Sequence, residues 1–182
     1  ERIIRRKIAY GTKNMTKGPA MTKEEAVRAL EVGIELAQNL KQQGYRILAT
    51  GEMGIGNTTT SSAVASVLLG LPPEKVAGRG AGLSSAGLER KREAIRRAIA
   101  RNSPDPMDAL DVLQKVGGLD LAGMAGTFLG AAAVQMPVLI DGFISASAAL
   151  LAARICPAAR EYMVASHVSG EPAAHWILQE LE

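Results

Sequence analysis

Apolar positions along this chain switch repeatedly between helical spacing and short, nearly continuous β-prone runs. The first helix is the clearest case, because Thr22 and Glu25 form a capping-box pattern and Gly44 ends the periodic stretch. Its apolar residues recur every three or four positions, at Val27, Leu30, Ile34, Ala37 and Leu40. The pattern predicts an amphipathic helix between Thr22 and Gly44.

A unit made of a β-prone run, a glycine-bearing loop and a helix then follows. The runs are residues 45–50, 75–77, 137–140 and 162–165, and their loops are 51–57, 78–82, 141–142 and 166–172. Further helices are predicted at 108–116 and 119–134. Strands that alternate with helices form parallel sheets with right-handed crossovers. We therefore predict a single three-layer α/β domain over residues 1–182, with a mostly parallel sheet and helices on both faces.

Composition narrows the class of protein. Aromatic residues make up only 3% of the chain, so Ala, Gly, Leu, Ile and Val must fill the core. The net charge is +3, and the basic excess falls mainly in segments 2–7 and 90–101. Neither segment contains an aromatic side chain that could stack on a base. We interpret both as solvated faces and predict no nucleic-acid partner.

One uncharged segment, residues 121–140, has the length of a membrane span. Its glycines, together with Gln135 and Pro137, favour a helix, a break and a buried strand instead. We therefore predict no membrane partner. The chain begins at Glu1 rather than Met, which suggests a piece of a longer protein.

The single cysteine, Cys156, excludes an internal disulfide and fits a reducing, cytoplasmic compartment. It lies in an apolar stretch, which predicts a buried and inert thiol. Its spacing from His167 and His175 does not suit metal ligands. No metal site and no cofactor are expected.

The glycine-bearing loops are the candidate sites of chemistry. In open parallel sheets, ligands bind beyond the carboxyl ends of the strands, where all four loops are expected to lie. Glycine lets the backbone approach a ligand closely, and amides beside a helix N-terminus attract anions. The predicted ligand is therefore phosphate or a similar anion. The order Gly51-x-x-Gly54-x-Gly56 matches neither a Walker A loop nor a dinucleotide fingerprint, which disfavours ATP and dinucleotides.

Glu52 is unexpected in such a loop, because a carboxylate repels a bound anion. It makes sense if it faces sugar hydroxyls or a carbon that becomes positive during a reaction. Lys91 lies in a basic row, and on the sequence alone a solvated side chain is the better interpretation. Gly142 and Ser169 follow later strands as possible phosphate donors. His167 is either a hydrogen-bonded loop histidine or a general base.

Four of these segments together resemble one enzyme family. They are Thr50-Gly51-Glu52-Met53-Gly54-Ile55-Gly56-Asn57-Thr58-Thr59, Gly78-Arg79-Gly80-Ala81-Gly82-Leu83, Val138-Leu139-Ile140-Asp141-Gly142-Phe143 and Ser166-His167-Val168-Ser169-Gly170-Glu171-Pro172. The chain is similar over essentially its whole length to nicotinate-nucleotide–dimethylbenzimidazole phosphoribosyltransferases. Four long motifs in the right order make this resemblance specific.

The resemblance implies that a nitrogen of 5,6-dimethylbenzimidazole attacks C1′ of nicotinate mononucleotide. The products would be nicotinate and α-ribazole 5′-phosphate, an intermediate of cobalamin assembly. It also implies a Rossmann-like large domain, a small helical domain largely missing from this chain, and a homodimer. Two other readings stay open: a related phosphoribosyltransferase with another acceptor base, and a non-catalytic nucleotide-binding module.

The family's site can be carried onto this sequence residue by residue. Glu52 would be catalytic, beside the ribose and the reacting carbon. The phosphate and ribose contacts would come from Gly54, Asn57, Thr58, Gly80, Gly82, Lys91, Gly142 and Ser169. The resemblance thus predicts that Lys91 contacts a phosphate, whereas the sequence alone predicts a solvated side chain. The glutamate regarded as the family's general base follows the helix that stops here at Glu182, so we expect these 182 residues alone to be inactive or nearly so.

Overall fold

The computed structural model describes residues 3–182. Its helices are α1 (Lys23–Gln42), α2 (Asn57–Leu69), α3 (Pro73–Val76), α4 (Ser85–Asn102), α5 (Ala109–Val116), α6 (Leu119–Ala133), α7 (Phe143–Ile155) and α8 (Ala173–Leu181), with a 3₁₀ helix at Pro157–Tyr162. The strands are β1 (Leu48–Ala49), β2 (Val138–Ile140) and β3 (Met163–Ala165). They pair in parallel in the order β1-β2-β3. The predicted α/β class with a parallel sheet is confirmed.

Side-chain caps begin several helices where the sequence predicts them. Thr22 Oγ1 accepts from the Glu25 amide at 3.1 Å, and Glu25 Oε2 accepts from the Thr22 amide at 2.8 Å. This reciprocal pair satisfies two amides that have no partner inside α1. The Ser84 side chain also accepts from an amide in the first turn of α4, and the Asp108 side chain accepts from two amides at the start of α5. The starts of these three helices are therefore determined locally.

The predicted strand at 75–77 is wrong. The chain there forms the short helix α3, with Pro73 at its first turn. Backbone bonds from the Lys75 amide to the Pro72 carbonyl, 2.9 Å, and from the Ala77 amide to the Pro73 carbonyl, 2.8 Å, close the turns. Proline is favoured at a first helical position because its fixed φ suits a helix and its missing N–H is not needed there. Three of the four predicted strand units keep their strand within the described residues.

Helices α1 and α6 approach each other unusually closely. A Cβ added to Gly126 would lie 1.9 Å from the carbonyl oxygen of Leu30, and one added to Gly33 would lie 2.0 Å from that of Gly123. A Cβ on Gly130 would meet the backbone of Ile34 at 2.6 Å. The two backbones are therefore in direct contact along one stripe. This contact places the start of α6 next to the end of β1, where the candidate site lies.

The uncharged segment 121–140 divides as predicted. Helix α6 covers its first part, the chain turns at Gln135 with a φ of 52°, and β2 follows. Within residues 3–182, none of the helices combines the length and the apolar character that crossing a bilayer requires.

Two surface predictions have different outcomes. Cys156 is exposed rather than buried, because it lies where α7 ends and the chain turns into the 3₁₀ helix.

Residues 3–7 of the first basic segment are exposed as predicted, and Arg2 lies outside the described residues. In the second segment Arg96 pairs with Glu74 at 3.0 Å and Glu89 at 2.6 Å, and also contacts Glu93. That face is solvated and charge-paired, with the exception of Lys91 described below.

Candidate nucleotide-binding site

Hydroxyl groups hold the three strand ends together at one edge of the sheet. Thr50, after β1, donates from Oγ1 to the Leu139 carbonyl of β2 at 3.2 Å. Ser166, after β3, donates to the Ile140 carbonyl of the same strand at 2.7 Å. Thr50 also forms a short hydrogen bond with Ser145 in the first turn of α7. The loops that leave β1, β2 and β3 are thereby kept side by side, as the sequence predicts.

The first loop is open to solvent and enters α2 through glycine. Gly54 and Gly56 have φ values of 74° and 79°, a left-handed conformation that favours glycine. Gly56 is the N-cap residue of α2 and provides no side-chain cap, so the first amides of the helix stay available to a ligand. Met53 and Ile55 are 82% and 81% exposed. The loop has the backbone properties of an anion site.

Glu52 is oriented by the loop itself. Its Oε2 accepts hydrogen bonds from the Gly54 amide and from Asn57 Nδ2, the latter at 3.0 Å. The same amide nitrogen of Asn57 donates to Asp120 Oδ2 at 2.8 Å. Asn57 is only 8% exposed, and its Oδ1 has no protein partner. One buried amide thus holds two carboxylates near each other.

Asp120 is absent from the predicted site. It lies in the first turn of α6, directly after Gly117, Gly118 and Leu119, and its carboxylate also accepts from the Leu121 amide at 2.9 Å. The available signal was an acidic residue in the first turn of a helix that follows two glycines. That pattern usually indicates only a favourable interaction with the helix dipole. The sequence therefore indicated a helix start but not a contact with Asn57.

A cavity of about 420 Å³ opens beside this pair of carboxylates. Its walls are mainly apolar and come from α1, α6 and the loop after β1; they include Val32, Leu36, Met53 and Met124. Glu52 and Asp120 contribute the acidic groups. An apolar space with a carboxylate pair at one side suits an uncharged ring next to a centre of developing positive charge.

The second loop packs onto the start of α2. Gly80 has a φ of 55°, and a Cβ added there would lie 2.8 Å from Thr58 Oγ1. Thr58 follows Asn57, so the first turn of α2 touches the acidic pair on one side and the loop 78–82 on the other. Gly82 also has a positive φ, 102°, and its amide donates to the Arg79 carbonyl at 3.2 Å.

Lys91 is buried, so the prediction of a solvated side chain from sequence alone is wrong. Only 5% of the residue is exposed, and Nζ donates to the Gly78 carbonyl at 3.0 Å. Burial lowers the pKa of Lys91 below its usual range, while the negative charge of Glu171 acts in the opposite direction. α4 thus directs one ammonium group inward at the loop 78–82, whereas its neighbours Arg92 and Arg96 are more exposed.

Residues 166–172 complete this side of the site. Ser169 Oγ accepts from the Glu171 amide at 3.3 Å, and Glu171 Oε1 accepts from the Gly80 amide at 3.0 Å. His167 is exposed and shares a hydrogen bond with the neighbouring Ser166 at 2.9 Å. Glu171 is a second residue that the predicted site lacks, although it lies inside one of the recognised motifs.

Most of the predicted site residues thus fall into two groups. Glu52, Gly54 and Asn57 form one group, and Thr58, Gly80 and Lys91 lie around the loop 78–82, where Glu171 connects them to Ser169. Gly142 lies apart at the end of β2, as the N-cap residue of α7. Within residues 3–182, no three His, Cys, Asp or Glu side chains are grouped closely enough to hold a metal ion.

A family model described as phosphoribosyltransferase matches residues 1–182. The chain belongs to the phosphoribosyltransferase family. This phosphoribosyltransferase chain is 54% identical over 182 residues to the nicotinate-nucleotide–dimethylbenzimidazole phosphoribosyltransferase of Clostridium acetobutylicum. The matched region covers 100% of the chain and 52% of the relative. The chain is 55% identical over 180 residues to the enzyme of the same name from Ruminiclostridium cellulolyticum, covering 99% of the chain and 51% of that relative.

Solved structures agree with this family. A crystal structure of CobT from Thermus thermophilus superposes with a TM-score of 0.93 at 46% identity, covering 98% of this chain and 53% of that one. A second structure from the same organism, of nicotinate-nucleotide–dimethylbenzimidazole phosphoribosyltransferase, gives 0.90 at 44% identity, with 98% and 52% covered. The chain spans about half the length of the curated relatives it matches.

Proposed function

We propose that the protein containing this chain transfers the phosphoribosyl group of nicotinate mononucleotide to 5,6-dimethylbenzimidazole. The observation that carries the proposal is the match to relatives of that name across the whole chain, at 54% identity in one case. The activity is proposed for a polypeptide of the relatives' length, because the chain spans only about half of it. The products are α-ribazole 5′-phosphate and nicotinate.

The site geometry supports a substitution at C1′ of the ribose. The bond from C1′ to the pyridine nitrogen breaks and its electron pair stays on that nitrogen, which loses its positive charge. A benzimidazole nitrogen bonds to C1′ from the opposite face, which inverts the anomeric carbon, and the new ring then loses a proton. Positive charge on C1′ increases as the bond to the pyridine nitrogen lengthens. Carboxylates near that carbon lower the barrier, as in other reactions with oxocarbenium-like transition states.

Glu52 is the candidate for this stabilisation, and Asp120 shares its contact with Asn57. Both are held by Asn57 Nδ2, at 3.0 Å and 2.8 Å, so they are oriented before substrate arrives. Fixed charges are more effective than mobile ones because no reorganisation is needed during the reaction. We assign Glu52 to the ribose and the reacting carbon. Asp120 is assigned to the orientation of Asn57.

The phosphate is assigned to the other group of residues. Thr58 offers a hydroxyl and the start of α2 offers amides, while Lys91 provides the positive charge. The amides of Gly80 and Gly82 already donate to Glu171 and Arg79, so we infer that these two glycines serve mainly to shape the loop. Gly142 and Ser169 remain proposed phosphate contacts at the ends of β2 and β3.

The decisive experiment uses the whole protein. It is incubated with nicotinate mononucleotide and, separately, with dimethylbenzimidazole, adenine or a phenolic base, and the nucleoside phosphate is identified by mass. α-Ribazole 5′-phosphate supports the proposal. A product formed only with another base would show that this base is the acceptor instead of dimethylbenzimidazole. Binding of nicotinate mononucleotide without any product would favour a non-catalytic module. The 182 residues alone are expected to be inactive or nearly so, and a normal rate from them would contradict that expectation.

We also infer a cytoplasmic homodimer without a cofactor, in which residues 1–182 are one α/β core domain. The resemblance to family enzymes, which are homodimers, supports the dimer. The single cysteine supports a reducing compartment. Sedimentation of the whole protein at several concentrations tests the dimer, and a purely monomeric species would contradict it.

A further inference from the structure

The carboxylate of Glu171 lies inside the loop that was predicted to receive a phosphate. Its Oε1 accepts from the Gly80 amide at 3.0 Å. Its Oε2 lies so close to Gly78 that a Cβ added there would be 2.1 Å away. The loop therefore has a space for this side chain that only a glycine at position 78 leaves open.

This arrangement needs a compensating positive charge. Glu171 Oε2 is buried and has no hydrogen-bond partner in the protein, and a buried carboxylate oxygen without one is costly. Lys91 provides the opposite charge: its ammonium group donates to the Gly78 carbonyl of the same loop at 3.0 Å, and the negative charge of Glu171 acts to raise the pKa of Lys91 against the effect of burial. One loop thus carries a lysine from α4 on its carbonyl side and a glutamate from the segment before α8 on its amide side.

We propose that Glu171 is a positioning residue, which holds the loop 78–82 and the Lys91 ammonium in the arrangement that receives the nucleotide phosphate. The proposal rests on the proposed function, because it takes the ligand to be nicotinate mononucleotide. Glu171 acts through the loop and does not itself contact the phosphate, whose negative charge it would repel. The Ser169 hydroxyl, which accepts from the Glu171 amide at 3.3 Å, connects this support to a predicted phosphate contact.

The shape of the site favours a permanent support over a carboxylate that leaves when substrate binds. Gly78 packs against both the Glu171 carboxylate and the Pro172 ring, since a Cβ there would be 2.1 Å from Glu171 Oε2 and 2.7 Å from Pro172 Cδ. Removal of the carboxylate would leave the Gly80 amide without its acceptor and the buried Lys91 without its counter-charge. Both losses would disorder the same five residues.

The test compares E171Q and E171A with E161Q in the whole protein. Glu161 is an exposed glutamate of the 3₁₀ helix, so E161Q makes the same charge change away from the loop. We expect E171A to raise KM for nicotinate mononucleotide about tenfold, as loss of a charge-assisted hydrogen bond commonly does, with kcat within about threefold of wild type. E171Q keeps an acceptor for the Gly80 amide, so its KM should lie between those of wild type and E171A. E161Q should match wild type.

Three results would overturn the proposal. The first is an unchanged KM in both Glu171 variants. The second is tighter binding of nicotinate mononucleotide or inorganic phosphate to E171Q, which would make Glu171 a competitor of the phosphate. The third is a fall in kcat without a rise in KM. E171Q is nearly isosteric, so it provides a folded variant if E171A does not fold.

A second measurement does not depend on the proposed function. Hydrogen exchange of the Gly80 amide should be faster in E171A than in wild type, because the amide loses its acceptor. Unchanged exchange would overturn the positioning role even if the protein were active. If wild type fails to bind nicotinate mononucleotide while exchange at Gly80 responds to E171A, the proposed function fails and the support of the loop stands.

Discussion

Glycine has a different structural role in two regions of this molecule. Along the α1–α6 contact, Gly33, Gly126 and Gly130 have ordinary helical backbones, and their value lies in the missing Cβ. In the loop after β1, Gly54 and Gly56 have open space where a Cβ would be, or only the end of a side chain 3.7 Å away, and their value lies in a positive φ.

Glycine therefore serves the stability of the fold in the helix pair and the shape of the candidate site in the loop. The helix pair is a rigid support, since any added atom meets backbone that cannot move independently. The loop after β1 is open to solvent, and Gly54 and Gly56 permit turns that leave its amides and the Glu52 carboxylate accessible. Substitutions of one residue type should therefore have different consequences in the two regions.

G126A should give the largest loss of stability. Its Cβ would lie 1.9 Å from the Leu30 carbonyl oxygen, so α1 and α6 would have to separate. We expect the free energy of unfolding to fall by about 3 kcal/mol or more, at or above the upper end of ordinary overpacking. Denaturant unfolding measures it. G123A is the matched control on the same helix, because nothing lies within 4 Å of its Cβ; it should be neutral or gain up to about 1 kcal/mol. Equal effects of the two would contradict the close contact.

E52Q should impair catalysis at the sheet edge without weakening the fold. The glutamine side chain would keep the contacts to Gly54 and Asn57 in shape but lose the charge that we assign to the stabilisation of C1′. We expect turnover of the whole protein to drop about 100-fold, a cost of about 2.7 kcal/mol in the barrier. The affinity for nicotinate mononucleotide should change far less. Steady-state kinetics with calorimetric binding separates the two, and equal losses in both would refute the role.

Nucleotide affinity should decrease at alkaline pH because of Lys91. Burial lowers the pKa of its ammonium group, so as pH rises the group loses its proton earlier than an exposed lysine would. The charged form is the one that attracts phosphate, so binding is strong below this pKa and weakens above it, by up to about tenfold per pH unit. Calorimetry between about pH 7 and pH 10 measures the effect.

The control for this pH effect is K91R, because arginine keeps its charge throughout that range. A variant that folds and binds should show a flatter profile than wild type. K75R, at a lysine exposed to solvent in α3, should leave the wild-type profile unchanged. A profile that is the same in wild type and K91R would exclude Lys91 as its source.

G56A should give the smallest of these effects. Its Cβ would meet nothing within 4 Å, so the cost comes only from a φ of 79° at a non-glycine residue. We expect about 1 kcal/mol of lost stability, accompanied by weaker nucleotide binding as the entry into α2 relaxes. G51A, which has no positive φ and no neighbour within 4 Å of its Cβ, is the control. Similar behaviour of the two variants would contradict a conformational role for Gly56.

Much of this molecule could be predicted from local patterns. The caps at Thr22, Ser84 and Asp108, three of the strands, and the glycine-bearing loops involve residues within a few positions of each other. The local signals failed at 75–77, where Val76 and Ala77 after Lys75 suggested a strand and the preceding prolines favoured a helix turn. They failed again at Cys156, whose apolar neighbours did not reveal the end of α7.

By itself, the sequence determined most of the helices and three of the strands, which loops bear glycine, and that Glu52 lies in the first of those loops. Only the tertiary structure decided which side chains meet there. Asn57 and Asp120 are 63 positions apart, and Gly80 and Glu171 are 91 apart. The burial of Lys91 likewise depends on how α4 lies against its own preceding loop. Caps and turns are set by near neighbours, whereas these contacts exist only because close packing of distant elements brings them together.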